Sequence, residues 1–425
     1  MMRHAWIMLA AVAASTAAFT PAIAQPHGNF DEAAVPAYRL PDLLAMQDGT
    51  PVRSVNDWET RRRPELLRLF ADNIFGHAPP APDAIRFVVT DQAQDALDGM
   101  AIRKQVTVLL NGKEDGPQFS ALLYLPAHAD GPVPVFAGLN FHGNQAVADD
   151  PAIAITPGWV AAPGDGIVKH RATAASRGIE AGQWPLRQIL AAGYGVATFF
   201  PADIYPDGDD RFAQSIQPFY GTNPSYPAHW GAVATWAWGL GRLADYLVTD
   251  PLVDPSRIIA IGHSRYGKAA LWAAATDRRF AMVVSNNSGN GGAALYRRRF
   301  GETIGVMNDY WFAPRFKTYA AREDELPVDA HALIALMAPR PTYIASASED
   351  LWADPKGEFL AARAAGAAYR LYGMEGLGDA PMPPAGKRIG KRVGYHLRSG
   401  PHDITAGDWD AYIAFADREL AARQD

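Results

Sequence analysis

An α/β fold built on a mostly parallel sheet is predicted by three observations. From residue 133 onward, short apolar runs rich in β-branched residues alternate with helix-patterned segments. Three strand-like runs precede that alternation (residues 85–90, 101–110 and 119–125), which suits an antiparallel meander at the start of such a sheet. Finally, the apolar run Ile258 to Ile261 passes into the Ala-rich segment Lys268 to Ala275 through Gly262-His263-Ser264-Arg265-Tyr266-Gly267.

In chain order, residues 57–75 read as a helix capped by Asp57, with Leu66, Leu67, Leu69, Phe70 and Ile74 on its apolar side. The run 133–141 is a buried strand that ends in His142-Gly143-Asn144. Two stretches rich in Gly and Pro, about 145–186 and 202–228, read as loop insertions above the sheet, where loops carry specificity. The second holds acidic residues at 203, 207, 209 and 210; it lacks the last glutamate of a calcium loop and reads as solvated. Residues 194–200, 282–286 and 342–346 are strands, and 230–248 and 409–422 are helices. The pattern shows no internal repeat, so residues 25–425 are expected to form one catalytic domain.

The N-terminus combines Arg3, an apolar run from Ala5 to Ala14, and Ala22-Ile23-Ala24. This is a signal-peptide pattern over residues 1–24, and it predicts export to the periplasm or the exterior of a bacterium. No other stretch is long and apolar enough to span a bilayer. A net charge of −6 without a basic block gives no electrostatic footprint for nucleic acid. The absence of cysteine excludes disulfides, thiol catalysis and thiolate metal sites, while 48% hydrophobic residues allow a core large enough to do without covalent staples.

A serine on a sharp strand-to-helix turn is the nucleophile elbow of the α/β-hydrolase fold. The motif here is G-x-S-x-x-G rather than G-x-S-x-G, because Tyr266 stands where the second glycine is usual. A nucleophilic Ser264 needs a base and an acid that follow it in the order acid, then histidine. The strand at 342–346 runs into Glu349, Asp350 and Asp354, and His402 lies on a Pro/Gly loop before the last helix. His142, His229, His331 and His396 read as loop or core residues, and His263 as facing away from a substrate. No histidine pair has metal-ligand spacing, so neither metal nor cofactor is expected. Arg265 and Lys268 place two cations around the serine, which suggests an electron-rich substrate such as a sugar-acid derivative.

The G-H-S-R-Y-G-K motif resembles the G-C-S-R-x-G-K signature of the glucuronoyl esterases, carbohydrate esterase family 15. The resemblance extends through Ser285 to Gly292, Arg297 to Thr303, Met337 to Pro341, Asp350 to Pro355 and the His402 loop, covering residues 31–425. It implies a three-layer αβα sandwich without cofactor. It also implies an activity, cleavage of the ester joining 4-O-methyl-glucuronate on glucuronoxylan to lignin alcohols. By the same resemblance Ser264 is the nucleophile, His402 the base and Arg265 the oxyanion stabiliser, with Lys268, Glu302 and Trp352 contacting the uronate. Glucuronoxylan–lignin esters or glucuronate ester oligosaccharides are then the expected partners of a monomer. Many members carry the triad glutamate where Asn287 stands here, so the acid is expected from the loop after Ser346. Asp350 is the first choice, with Glu349 and Asp354 open. A related carbohydrate esterase, such as an acetylxylan esterase, and a non-catalytic glycan-binding protein are the alternatives.

Overall fold

The computed structural model describes residues 28–421, so the expected signal segment over 1–24 and the final residues lie outside it. Ten strands form one sheet: β1 Arg86–Asp95, β2 Ala101–Leu109, β3 Gln118–Pro126, β4 Val133–Leu139, β5 Gly195–Phe199, β6 Val253–His263, β7 Phe280–Asn286, β8 Thr342–Ala347, β9 Arg388–Gly390 and β10 Val393–Arg398. Their order is β1-β2-β3-β5-β4-β6-β7-β8-β10-β9. The first three strands pair antiparallel, β3 joins β5 antiparallel, and the run from β5 to β10 is parallel. The short β9 closes the far edge antiparallel to β10.

Among the described residues, seven helices of six residues or more cover the sheet: α1 over residues 55–75, α2 Leu186–Ala191, α3 Ala232–Leu247, α4 Arg265–Thr276, α5 Ala330–Ala335, α6 Pro355–Leu371 and α7 Ala406–Ala421. Side chains alternate along the strands, so each parallel strand feeds two cores. Ile258 and Ala260 of β6 pack with α1, α3, α4, α5 and α6 on one face. Ile259 and Ile261 pack with α2 and α7 on the other. The three layers expected from the sequence are therefore present.

Two expectations shift. The first helix begins at Val55, not after Asp57, because the hydroxyl of Ser54 accepts from the Asp57 N–H while Asp57 Oδ2 accepts from the Arg53 N–H and the Ser54 hydroxyl. That arrangement is a variant of the capping box in which the Arg53 N–H takes the place of the N-cap N–H. The long helix α6 was not foreseen, although Asp354 caps it through the Gly357 N–H at 2.9 Å and Pro355 opens it. Among the described residues no helix is long and apolar enough to cross a membrane.

Candidate active site

The elbow forms where β6 meets α4. Ser264 has φ 56° and ψ −134°, a strained conformation for a residue with a side chain. Its N–H is held by the Asn286 carbonyl at 2.9 Å. The turn is possible because of its two glycines. A Cβ on Gly262 would meet the Tyr266 carbonyl at 2.0 Å, and one on Gly267 would meet Ser288 Cβ at 2.9 Å. Close approach is thus required at 262 and 267, whereas position 266 admits Tyr266, buried against Phe141 with ring centroids 4.5 Å apart. This is the physical reason for the unusual glycine spacing.

His402 lies beside the elbow, its ring 4.4 Å from that of His263. Its Nδ1 is 2.5 Å from Asp350 Oδ2. Of the three acidic residues after β8, Asp350 is the one that reaches the imidazole. Glu349 is exposed, and Asp354 is buried and takes Arg298 Nε at 2.8 Å. Asp350 Oδ2 also accepts from Asn287 Nδ2 at 2.8 Å, so the residue standing at the family's usual glutamate position supports the carboxylate instead of supplying one. Burial alone would raise the Asp350 carboxyl, but the His402 and Asn287 hydrogen bonds and the charge on His402 hold it below the usual carboxylate range. The Ser264 hydroxyl makes no hydrogen bond among the described residues. Such contacts commonly close only around a substrate.

His263 itself is buried, and together with the neighbouring His402 this pushes its pKa down to about 3. It is neutral, with Nδ1 2.7 Å from Asn286 Oδ1, while Asn286 Nδ2 donates to the Tyr412 hydroxyl at 2.7 Å. Beneath the turn after β7, Glu358 accepts from the N–H groups of Ser288 at 2.7 Å and Gly289 at 3.0 Å, and from Ser346 Oγ at 2.6 Å. Burial pushes this carboxyl up to about 8 despite those bonds.

The two cations are anchored differently. Lys268 is buried and pairs with Glu302 Oε2 at 2.5 Å; it also donates to the Asn290 carbonyl and lies 5.5 Å from the Trp311 ring centroid. Two of its three N–H groups are thereby used. The Glu302 N–H donates to the Trp352 carbonyl at 2.8 Å, which places half-buried Trp352 at the same wall. Arg265 has Nε 2.6 Å from Asp207 Oδ2 and its guanidinium carbon 4.9 Å from the Phe141 ring centroid. The acidic run expected to be solvated is therefore split. Asp209 and Asp210 are exposed, Asp207 is an ion-pair partner inside the site, and burial lifts Asp203 to about 7. The sequence does not single out Asp207, because its partners Arg265, Tyr310 and Trp311 are distant in the chain.

A strained serine at the carboxyl edge of a parallel sheet, with a histidine–carboxylate pair on later loops, defines an α/β-hydrolase. A family model for fungal glucuronyl esterases matches residues 172–373. The carbohydrate esterase MZ0003, from an unknown prokaryotic organism, is 47% identical over 99% of both chains. A solved structure described as a promiscuous CE15 esterase from the marine bacterial metagenome superposes with TM-score 0.87 at 47% identity, covering 92% of this chain and all of that one. The glucuronoyl esterase from Solibacter usitatus superposes with TM-score 0.86 at 44% identity over 92% of this chain and 100% of its own. The chain belongs to carbohydrate esterase family 15, the glucuronoyl esterases, and is a carboxylic ester hydrolase.

Proposed function

We propose that this chain hydrolyses the ester between (4-O-methyl-)glucuronate side chains of glucuronoxylan and lignin alcohols, using Ser264, His402 and Asp350. The observation that carries this is the 2.5 Å Asp350–His402 contact beside the strained Ser264 elbow. His402 Nε2 takes the Ser264 proton as Oγ attacks the C6 carbonyl of the uronate. The Arg265 N–H, at the first turn of α4, and the Arg265 guanidinium hold the oxyanion. As the tetrahedral intermediate collapses, His402 gives its proton to the departing alcohol. It then activates a water that releases free glucuronate and restores Ser264. Asp350 keeps the imidazole in the right tautomer and balances its charge in the transition state.

Lys268, Glu302 and Trp352 form the uronate wall. The free N–H of Lys268 donates to a ring hydroxyl, the remaining Glu302 lone pairs accept from another, and Trp352 offers an apolar face. We read residues 25–425 as a single catalytic domain, exported behind a signal peptide over 1–24 and acting as a monomer. The test compares alcohol release from benzyl glucuronate with acetate release from acetylated xylan. Serine-dependent cleavage of the uronate ester is expected. Acetate release alone would keep the hydrolase and discard the uronate wall.

A further inference from the structure

The loop after β4 departs from what this fold ordinarily provides. In α/β-hydrolases one oxyanion donor is a backbone N–H from that loop. Here the N–H groups of Phe141 and His142 both donate to Glu180 Oε1, at 2.9 and 2.7 Å, and His142 Nδ1 lies 2.8 Å from the same oxygen. Glu180 is 2% exposed. Two N–H groups committed to a buried carboxylate are not free for a transient oxyanion, and the carboxylate's own charge would repel one. Stabilisation therefore falls to the start of α4 and to Arg265.

A flexible guanidinium helps a transition state only if it is aimed beforehand. The structure supplies that aim through Asp207. Its Oδ2 lies 2.6 Å from Arg265 Nε, while its Oδ1 accepts from the Tyr310 hydroxyl at 2.6 Å and from Trp311 Nε1 at 2.8 Å. Tyr310 stacks on Tyr205, two residues before Asp207, with rings 7° from parallel. Beyond the turn, Arg211 lies over Trp159, which stacks on His170, so the other long loop braces the same segment. Phe141 and Tyr266 pack beside the guanidinium, their ring centroids 4.9 and 5.3 Å from its carbon. The Nε–H is not aligned for a hydrogen bond, so Asp207 holds the guanidinium through its charge at 2.6 Å.

We propose that Asp207 is a positioning residue, which acts on the oxyanion by holding Arg265 in place and so makes the 202–228 loop part of the catalytic apparatus. This rests on the role given to Arg265 above. The test is a double-mutant cycle on benzyl glucuronate hydrolysis by the full chain. Asp207→Asn keeps the size and leaves an oxygen for Tyr310 and Trp311, but turns an amide toward Arg265. It is expected to lower kcat about 10²-fold with KM within about 3-fold and the melting temperature retained, and Asp207→Glu recovers part of the loss. Tyr310→Phe, which removes one of the donors fixing Asp207, lowers kcat about 5-fold. In an Arg265→Ala background each substitution is expected to cost less than about 3-fold. An undiminished further loss in that background, or wild-type kcat in Asp207→Asn, overturns the inference. Wild-type turnover by Arg265→Ala overturns the oxyanion assignment itself, a distinguishable outcome.

Discussion

Two histidine–aspartate pairs sit six residues apart on the same strand and loop, and they are built for opposite purposes. His396 is buried on β10, with Nε2 2.8 Å from Asp408 Oδ1 and Nδ1 3.0 Å from the Tyr343 hydroxyl. Asp408 also accepts from the Thr405 N–H and hydroxyl, both at 2.8 Å, and lies 3.1 Å from Arg398 Nε. Both imidazole nitrogens are used, and the cluster clamps the end of β10 to the start of α7. His402 stands on the loop between those two points, 40% exposed, with Nδ1 on Asp350 and no hydrogen bond at its other nitrogen among the described residues. The comparison teaches that a histidine–carboxylate contact does not by itself mark a base. A base also needs a free nitrogen and access to substrate. His142 follows the structural pattern too, with Nδ1 on Glu180 and Nε2 3.1 Å from the Pro163 carbonyl.

The sharpest way to break this contrast is to truncate both histidines. His402→Ala is expected to lower kcat/KM by about 10⁴-fold or more, with a smaller loss of stability than in His396→Ala because Asn287 still donates to Asp350. His396→Ala removes a buried ring and its bonds to Asp408 and Tyr343, though Thr405 and Arg398 still hold Asp408; it costs roughly 3 kcal/mol of stability, while the folded enzyme keeps kcat within about 10-fold. Urea melts beside steady-state rates would check both, and loss of turnover without loss of stability in His396→Ala would remove the distinction. Next in size, Asp350→Asn is expected to lose about 10²–10⁴-fold in kcat, whereas Glu349→Gln stays within about 2-fold because its side chain faces solvent. A larger loss in Glu349→Gln would reassign the acid.

Asn287→Asp sharpens the role of the supporting amide. It would set a second carboxylate where a donor now lies 2.8 Å from Asp350 Oδ2, so the two would share a proton. The acid limb of the pH–rate profile is expected to move to higher pH. An unmoved limb would mean that Asn287 has no bearing on the pair.

The smallest effect concerns His263, which packs against His402. Its folded pKa, about 3, lies below the ordinary imidazole value. Its contribution is therefore complete above pH ~6.5 and declines as the unfolded chain takes up protons, by about 2 kcal/mol at pH 5. Asp350 and Asp408 are both held below the carboxylate range, so their contributions persist to pH ~4 and fade below it. His263→Cys, which restores the residue of the family signature, is expected to flatten the loss between pH 6.5 and 5. Buried His331, also held low, keeps a remainder. An unchanged slope in urea melts across that range would show that His263 is not its source.

The layers and most strands were legible because apolar periodicity reports burial directly, as in β4 and β6. The elbow was legible because close backbone approach admits only glycine at 262 and 267. The order of Ser264, Asp350 and His402 followed from where this fold places its loops. Asp207 and Glu180 were not legible, because their meaning depends on contacts between loops far apart in sequence. Their local signals, an acidic run and a Gly/Ala-rich stretch, resemble ordinary solvated chain. The cap at Ser54 was hidden for a nearer reason, since Ser54 and Asp57 are both capping residues and the geometry decides between them.

The most direct measurement is alcohol release from benzyl glucuronate by wild type, Ser264→Ala and His402→Ala under one set of conditions. Rapid release by wild type, with both variants folded and slower by about 10⁴-fold or more, is the expected result. Release by Ser264→Ala at near the wild-type rate would contradict the proposed nucleophile and the mechanism built on it.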